Sequence, residues 1–286
     1  MKPSALFLRQ TKSFWAHVRS ISQELGYTDR NTGHIKVPGL LAIRQSLNTL
    51  GLGAEHVISN SGEPTDFGKT LLAYFNYRAD VLNTYVEPRL MKAERAKEVF
   101  DRLRESLSPR CPIPMNKQAG EKKAEAYLTG IVNMIIEANA GALTCHYDPK
   151  KLTTITRHGI PLRTLARRMD GAFPSVVNPV AVWEIKEYYY TTTFGSRVAD
   201  GVYETLLDGM ELEELREHEN IDVKHYLMID AHYTWWVCGR SYLCRLIDML
   251  HMGYVDEVLF GYEVVERLPE IVQEWAKLAQ ARGPDV

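Results

Sequence analysis

The sequence lacks the hallmarks of several large protein classes. Its four cysteines are scattered over 286 residues without a CxxC pair. That spacing argues against a structural zinc site or a disulfide framework, and it fits a reducing compartment. No apolar run reaches roughly 18 residues, so we expect no transmembrane span and no membrane partner. The N-terminal segment has neither the long apolar stretch nor the cleavage site of a signal peptide, which favours a cytoplasmic protein.

The chain also lacks an excess of charge of either sign. Its formal net charge is -2, so a nucleic-acid partner would have to be held by local basic clusters. Hydrophobic residues make up 45% of the chain, which is typical of a globular protein. The length allows one large domain or two modest ones, with a substantial core.

A proline-rich segment predicts where the chain divides. Residues 108–118, SPRCPIPMNKQ, contain three prolines and no helical periodicity. We therefore predict a helical region at residues 1–118 and a second domain at residues 119–286. The helical region is expected either to grip DNA or mediate dimerisation, or simply to pack as a helical subdomain.

The second domain alternates helices with short apolar strands. This alternation predicts an α/β fold with a mixed or partly parallel sheet flanked by helices. The predicted order is a helix at 118–139, strands around the acidic residues of 170–190, a helix at 196–215, a strand at 224–230, a helix at 241–251, a strand at 257–261 and a helix at 268–281.

Residues 167–193 carry the strongest functional signal. Asp170 precedes a loop with two prolines, and the apolar run 180–190 that follows contains Glu184 and Lys186. Side chains alternate between faces of a strand, so Glu184 and Lys186 share one face. Two carboxylates near an ammonium can hold Mg²⁺ and act on a phosphodiester. The backbone carbonyl of Ile185 is a plausible further metal ligand.

Arginines cluster around this segment. They include the most basic local patch in the chain, and each is either a contact to backbone phosphate or part of a solvated helix face. The candidates are Arg157, Arg163, Arg167, Arg168 and Arg197.

This segment resembles the PD-(D/E)xK nuclease superfamily. The resemblance consists of Asp170, then Glu184-Ile185-Lys186 on an apolar strand, and then a helix, a strand and a helix. Many type II restriction endonucleases belong to it. The resemblance covers residues 119–265 and implies a restriction-endonuclease-like mixed sheet flanked by helices. It implies that Asp170 and Glu184 bind Mg²⁺, as one or two ions, and that Lys186 assists the attacking water.

Two features depart from the family pattern or go beyond it. Met169 stands where the motif has proline. A further acidic residue on the preceding core helix often joins the metal site in such enzymes, and Glu125 is the best match here, with Glu137 next.

The resemblance implies a Mg²⁺-dependent endonuclease of double-stranded DNA, of the type II restriction kind. Cutting both strands takes two active sites, so a homodimer or a paired related subunit is expected. Three alternatives stay open. In the first, the chain is a nuclease that acts in DNA repair or recombination, or on another nucleic acid. In the second, it is a catalytically inactive DNA-binding module on the same fold. In the third, Glu184 and Lys186 form only an ion pair on a solvated sheet surface.

Overall fold

A computed structural model describes residues 1–29, 31–118, 121–190 and 195–282. The threonines at 191–193, which follow the apolar run 180–190 in the sequence, lie outside these ranges. The N-terminal part is helical, as expected, and the side chains of Thr11 and Thr65 cap two of its helices. The helices are α1 (Ala5–Leu8), α2 (Lys12–Leu25), α3 (Leu40–Thr49), α4 (Asp66–Val81) and α5 (Ala93–Leu107).

A hairpin replaces the first part of the long helix predicted at 118–139. Strand β1 (Met115–Gln118) pairs antiparallel with β2 (Glu121–Glu125), and only then does helix α6 (Tyr127–Asn139) begin. Ala126, between them, is in an extended conformation, and its N–H donates to the carbonyl of Pro114. The prediction of a continuous helix was therefore wrong, because cross-strand hydrogen bonds hold the residues before Tyr127 in a hairpin.

A five-stranded mixed sheet forms the centre of the second domain, in agreement with the predicted α/β class. Strand order is β3-β6-β7-β8-β9, with antiparallel pairing up to β7 and parallel pairing after it. A separate hairpin, β4–β5, precedes β6. The strands are β3 (His146–Tyr147), β4 (Thr154–Arg157), β5 (Ile160–Thr164), β6 (Gly171–Phe173), β7 (Ala181–Glu187), β8 (Lys224–Asp230) and β9 (Glu257–Phe260), and the later helices are α7 (Ser196–Glu219), α8 (Arg240–His251) and α9 (Glu263–Arg282).

Both faces of the sheet are covered. Trp183 and its neighbours of the same parity pack against α5, α6 and α9, and Trp183 stacks on Trp275 of α9 at 5.3 Å. On the opposite face, Val182 packs against α7, while Leu227 and Ile229 pack against α8. Period-two alternation therefore assigns every residue of β7 to one of two different layers. Within the described residues, no helix has the length and apolarity needed to cross a membrane.

Asp230, at the end of β8, is a buried carboxylate from which we expect a pH-dependent stability. It is fully buried, and its Oδ1 accepts hydrogen bonds from the backbone N–H of Met91 at 2.7 Å and of Ala231 at 2.8 Å. The hydroxyl of Tyr189 donates to its Oδ2. Burial raises the pKa of Asp230 to about 7, although these hydrogen bonds act to lower it.

We expect the Asp230→Asn substitution to remove a pH-dependent loss of stability. A raised pKa means that the folded chain holds a proton which the unfolded chain has released, so stability falls as pH rises from about 4 to about 7. Over that window the wild type should lose on the order of 2 to 4 kcal/mol relative to the variant.

The measurement is urea unfolding of both proteins between pH 4 and pH 8. Asp80→Asn, on the exposed side of α4, is the matched control and should follow the wild type. A difference between wild type and Asp230→Asn that stays constant with pH would contradict the prediction.

Candidate functional site

Asp170 and Glu184 are neighbours because of strand register. Gly171 of β6 pairs with Trp183 of β7, and one step further the same register sets Asp170 opposite Glu184. Directly opposite residues of an antiparallel pair project from the same face. The backbone N–H of Asp170 donates to Glu184 Oε1 at 3.2 Å. Position 171 must be glycine, since an added Cβ would lie 2.0 Å from the Trp183 ring.

The carboxylate of Asp170 lies beside β7 just past the point where the pairing of β7 with β6 ends. Strand β6 pairs only as far as Trp183, and beyond that point Asp170 Oδ2 accepts the N–H of Ile185 at 2.7 Å. In an antiparallel arrangement the N–H and C=O of one residue point to the same edge. The carbonyl of Ile185 is therefore expected at the edge where the Asp170 carboxylate lies, and its role as a metal ligand stays a prediction.

Lys186 lies on the same face as Glu184, as the alternation predicted. Its Nζ is 2.8 Å from Glu184 Oε2 and 2.9 Å from Glu204 Oε2 of α7. Burial acts to lower the pKa of Lys186, but the charges of Glu184 and Asp170 outweigh it and raise the pKa above its ordinary value. The side chain is therefore a fixed ammonium, which favours orientation and charge stabilisation over proton abstraction.

Arg167 brings a second cation into the cluster. Its guanidinium donates to Glu184 Oε2 at 3.0 Å, to Glu204 Oε2 at 3.2 Å and to Asp208 Oδ2 at 2.7 Å. The sequence left Arg167 as either a phosphate contact or part of a solvated helix face, whereas here it is bonded to carboxylates of the site. The site thus contains Asp170, Glu184 and Lys186 together with Arg167, Glu204 and Asp208.

The two carboxylates of α7 were missed by the sequence interpretation. Glu204 and Asp208 are four residues apart, so they lie on one helix face, and that face approaches β7. Gly201 lies on the same side of α7, where an added Cβ would be 3.3 Å from the Lys186 side chain. The only signal in the sequence is the helical spacing of Gly201, Glu204 and Asp208, which places them on one face of α7.

The carboxylates of the cluster differ in proton affinity. Burial, reinforced by the charge of Glu184, raises the pKa of Asp170 to about 6. Burial likewise raises the pKa of Asp208 to about 7, against the effect of Arg167. Burial would raise the pKa of Glu184 too, but Lys186 and Arg167 hold it below its ordinary value. Groups with such separated affinities are typical of functional sites.

The alternative of an ion pair on a solvated sheet surface is right about the pair, which forms at 2.8 Å, and wrong about the solvation. Glu184 is fully buried and Lys186 is 9% exposed. Helix α7 covers this face of β7, since Val182, of the same parity, packs against Leu212 and Leu215. A charged pair under a helix loses most of its hydration, so its cost must be met by partners or by a bound ion.

Glu125 lies away from the cluster. It is on β2 instead of a core helix, and its carboxylate bonds Arg104 at 2.7 Å. The side-chain amide of Asn116 donates to the backbone carbonyl of Glu125 and to the carboxylate of Glu187. Glu187 has the parity of Trp183 and so belongs to the α6 face of the sheet. Glu137 accepts the N–H of Arg110. The structure therefore places Glu204 and Asp208, and neither Glu125 nor Glu137, beside Glu184.

The remaining arginines fall into two groups. Arg157 and Arg163 lie on the β4–β5 hairpin, not on a helix, and pair with Glu219 and Glu211 of α7 at 3.1 and 3.4 Å. Arg168 and Arg197 are exposed, and neither has a carboxylate within 4.0 Å in the part of the chain that the structure describes. Among the described residues, Arg168 and Arg197 are thus the members of the predicted set whose guanidinium groups have no carboxylate partner.

No three histidine, cysteine, aspartate or glutamate side chains converge to hold a metal ion within the described ranges. Asp170 and Glu184, the two predicted Mg²⁺ ligands, have no third such side chain converging with them within these ranges. The six charged groups nevertheless comprise four carboxylates and two cations, a formal excess of two negative charges. One oxygen of Asp208 is buried and accepts no hydrogen bond from a described residue. The donor chemistry and the charge excess fit a hard divalent cation completed by water.

Comparison with known families covers nearly the whole chain. Residues 91–275, well over half of it, match a domain of unknown function, DUF7687. The chain belongs to the DUF7687 family. Residues 1–85 match a second domain of unknown function, DUF7690. No curated protein and no solved structure matches the sequence.

The DUF7687 region contains the entire candidate site, from Arg167 to Asp208. It also contains α5, whose Phe100 packs against α6 in the core under the sheet. The two matched regions meet at residues 86–90, so the predicted boundary at 118 lies inside the DUF7687 region. Helix α5 therefore belongs with the sheet by packing as well as by family match.

Proposed function

We propose that this DUF7687 protein is a Mg²⁺-dependent nuclease that hydrolyses phosphodiester bonds of double-stranded DNA. The observation that carries the proposal is the grouping of Asp170, Glu184 and Lys186 at an edge of β7. The order of α6, antiparallel strands, α7 and a parallel strand β8 is in keeping with a restriction-endonuclease-like fold. Type II restriction is the specific activity that this resemblance favours.

The residues present fit a bound Mg²⁺. Asp170 and Glu184 would hold it, with the carbonyl of Ile185 at the same strand edge as a third oxygen. When bound, the ion supplies a lowered pKa for water and neutralisation of phosphate charge. When Asp170 and Asp208 are both ionised, the cluster has a formal excess of two negative charges, which favours cation binding. A second ion would draw on Asp208, one oxygen of which is buried and accepts no hydrogen bond from any described residue.

The other side chains position the reactants. Lys186 donates hydrogen bonds to the attacking water or to a phosphate oxygen, because its raised pKa keeps it charged. Arg168 and Arg197, exposed and unpaired within the described residues, are suited to backbone phosphates. Arg157 and Arg163 would first have to leave their carboxylate partners. Cutting both strands requires two such sites, which favours a homodimer or a paired related subunit.

Incubation with a supercoiled plasmid and Mg²⁺ tests the proposal. Discrete linear fragments are expected, and an excess of EDTA should abolish them. A smear of fragments would support nuclease activity but contradict the assignment to sequence-specific restriction. Single-stranded DNA and RNA of the same length, tested in parallel, separate repair or processing nucleases from a duplex-specific enzyme. Intact plasmid with both Mg²⁺ and Mn²⁺ would contradict the proposal.

A second candidate is a DNA-binding module without catalytic activity. The observation that favours it is the saturation of both cations, since Lys186 and Arg167 are each bonded to more than one carboxylate. This candidate predicts duplex binding that is unaffected by EDTA, together with no cleavage. A gel-shift titration with and without Mg²⁺ distinguishes the two candidates.

A further inference from the structure

A cavity of about 450 Å³ lies between α2, the end of α3, α7 and α8. Its volume is within the usual range for small-molecule sites, roughly 300 to 1,000 Å³. Residues of the N-terminal matched region line one side and residues of the DUF7687 region line the other. Small-molecule sites occur preferentially at such junctions.

Two arginines give the cavity a positive character. Arg19 and Arg245 line it, and among the described residues neither has a carboxylate within 4.0 Å. Asp248 also lines the cavity, but its carboxylate accepts from Arg78 at 3.0 Å and from the hydroxyl of Tyr74 at 2.6 Å. Its charge is therefore already compensated. Two guanidinium groups remain available, which favours an anionic ligand.

Arg245 is held in place before any ligand binds. Its guanidinium carbon lies 4.7 Å from the centroid of the Tyr27 ring and 4.9 Å from that of Tyr242. Contacts of this kind fix the orientation of a guanidinium without consuming all of its N–H donors. A planar group that is already oriented loses little further entropy on binding phosphate.

The rest of the cavity is suited to a ring. Leu50, Val202, Leu206 and Met249 supply apolar lining, and Tyr203, 56% exposed, adds an aromatic ring. Ser20 and Gln23 add uncharged hydrogen-bonding groups on the α2 side. A ligand that satisfies both halves has an aromatic ring and a negative charge.

We propose that this cavity binds a nucleoside monophosphate, with the base on the apolar lining and the phosphate on Arg19 and Arg245. The site is distinct from the candidate catalytic centre. Helix α7 turns Glu204 and Asp208 toward β7, whereas its residues 202, 203 and 206 line the cavity. The proposal is therefore independent of nuclease activity.

Calorimetric titration of the whole chain with the four nucleoside 5′-monophosphates, in EDTA, tests it. At least one should bind one-to-one, and the matching nucleoside and inorganic phosphate should each bind at least about tenfold more weakly. Arg19→Met and Arg245→Met should each weaken binding by about 10- to 100-fold, through loss of a charge-assisted hydrogen bond. Arg44→Met, an exposed arginine of α3 outside the cavity lining, is the matched control.

Four outcomes would overturn the assignment. They are no binding of any nucleotide up to about 1 mM, equal binding of inorganic phosphate, unchanged binding in the Arg19 variant, and weakened binding in Lys186→Met. The last would mean that the nucleotide occupies the catalytic centre instead. Because Arg19 is exposed, its variant keeps the fold, and a thermal melt checks this for every variant.

Discussion

Replacement of Lys186 by methionine should reduce Mg²⁺-dependent DNA cleavage by at least about 100-fold, the usual cost of removing one preorganised electrostatic group. Methionine keeps most of the length of the side chain but cannot donate to water or phosphate. Glu184 keeps Arg167 as a partner at 3.0 Å, so the carboxylate is not left alone in the interior. The measurement is the initial rate of plasmid cleavage at saturating Mg²⁺.

The control for this substitution is Lys224→Met. Lys224 begins the adjacent strand β8 and pairs with Asp222 and Asp256, away from the cluster. Its variant should cleave at the wild-type rate. Asp170→Asn should lose activity as Lys186→Met does, since it removes a proposed Mg²⁺ ligand. Full activity in either site variant, with an unchanged melting temperature, would refute the assigned roles.

The second large effect concerns the junction between the two matched regions. Arg78 of α4 is 1% exposed, and its Nη1 contacts both oxygens of Asp248 on α8, at 3.0 and 3.1 Å. Arg78→Met would leave Asp248 buried without its cation. Breaking a buried pair in this way typically costs about 3 to 5 kcal/mol, so we expect a loss of that size in urea unfolding.

A double-mutant cycle separates the pair from simple packing. Arg78→Met combined with Asp248→Asn should recover much of the lost stability, because the buried charge is then gone. Asparagine can still accept the hydrogen bond from Tyr74. Arg95→Met removes an exposed pair with Glu98 on α5 and should cost less than about 1 kcal/mol. Additive losses at Arg78 and Asp248 would show that the two residues are not coupled.

Local pattern predicted much of the second domain. The strand Lys224–Asp230 has the predicted bounds, and α8 and β9 differ from theirs by one residue at one end. Glu184 and Lys186 were assigned to one face because alternation in a strand is a local property. The start of the helix predicted at 118–139 was wrong, because the hairpin there depends on pairing with residues 115–118. Helical periodicity does not detect such pairing.

The sequence by itself determined the central strand and the shared face of Glu184 and Lys186. Tertiary structure decided which other charges meet them. The approach of α7 brought Glu204 and Asp208 to the site, β6 register brought Asp170, and β2 carried Glu125 to Arg104. The physical reason is that alternation along a strand follows from backbone geometry, whereas contacts between distant elements depend on how their faces pack.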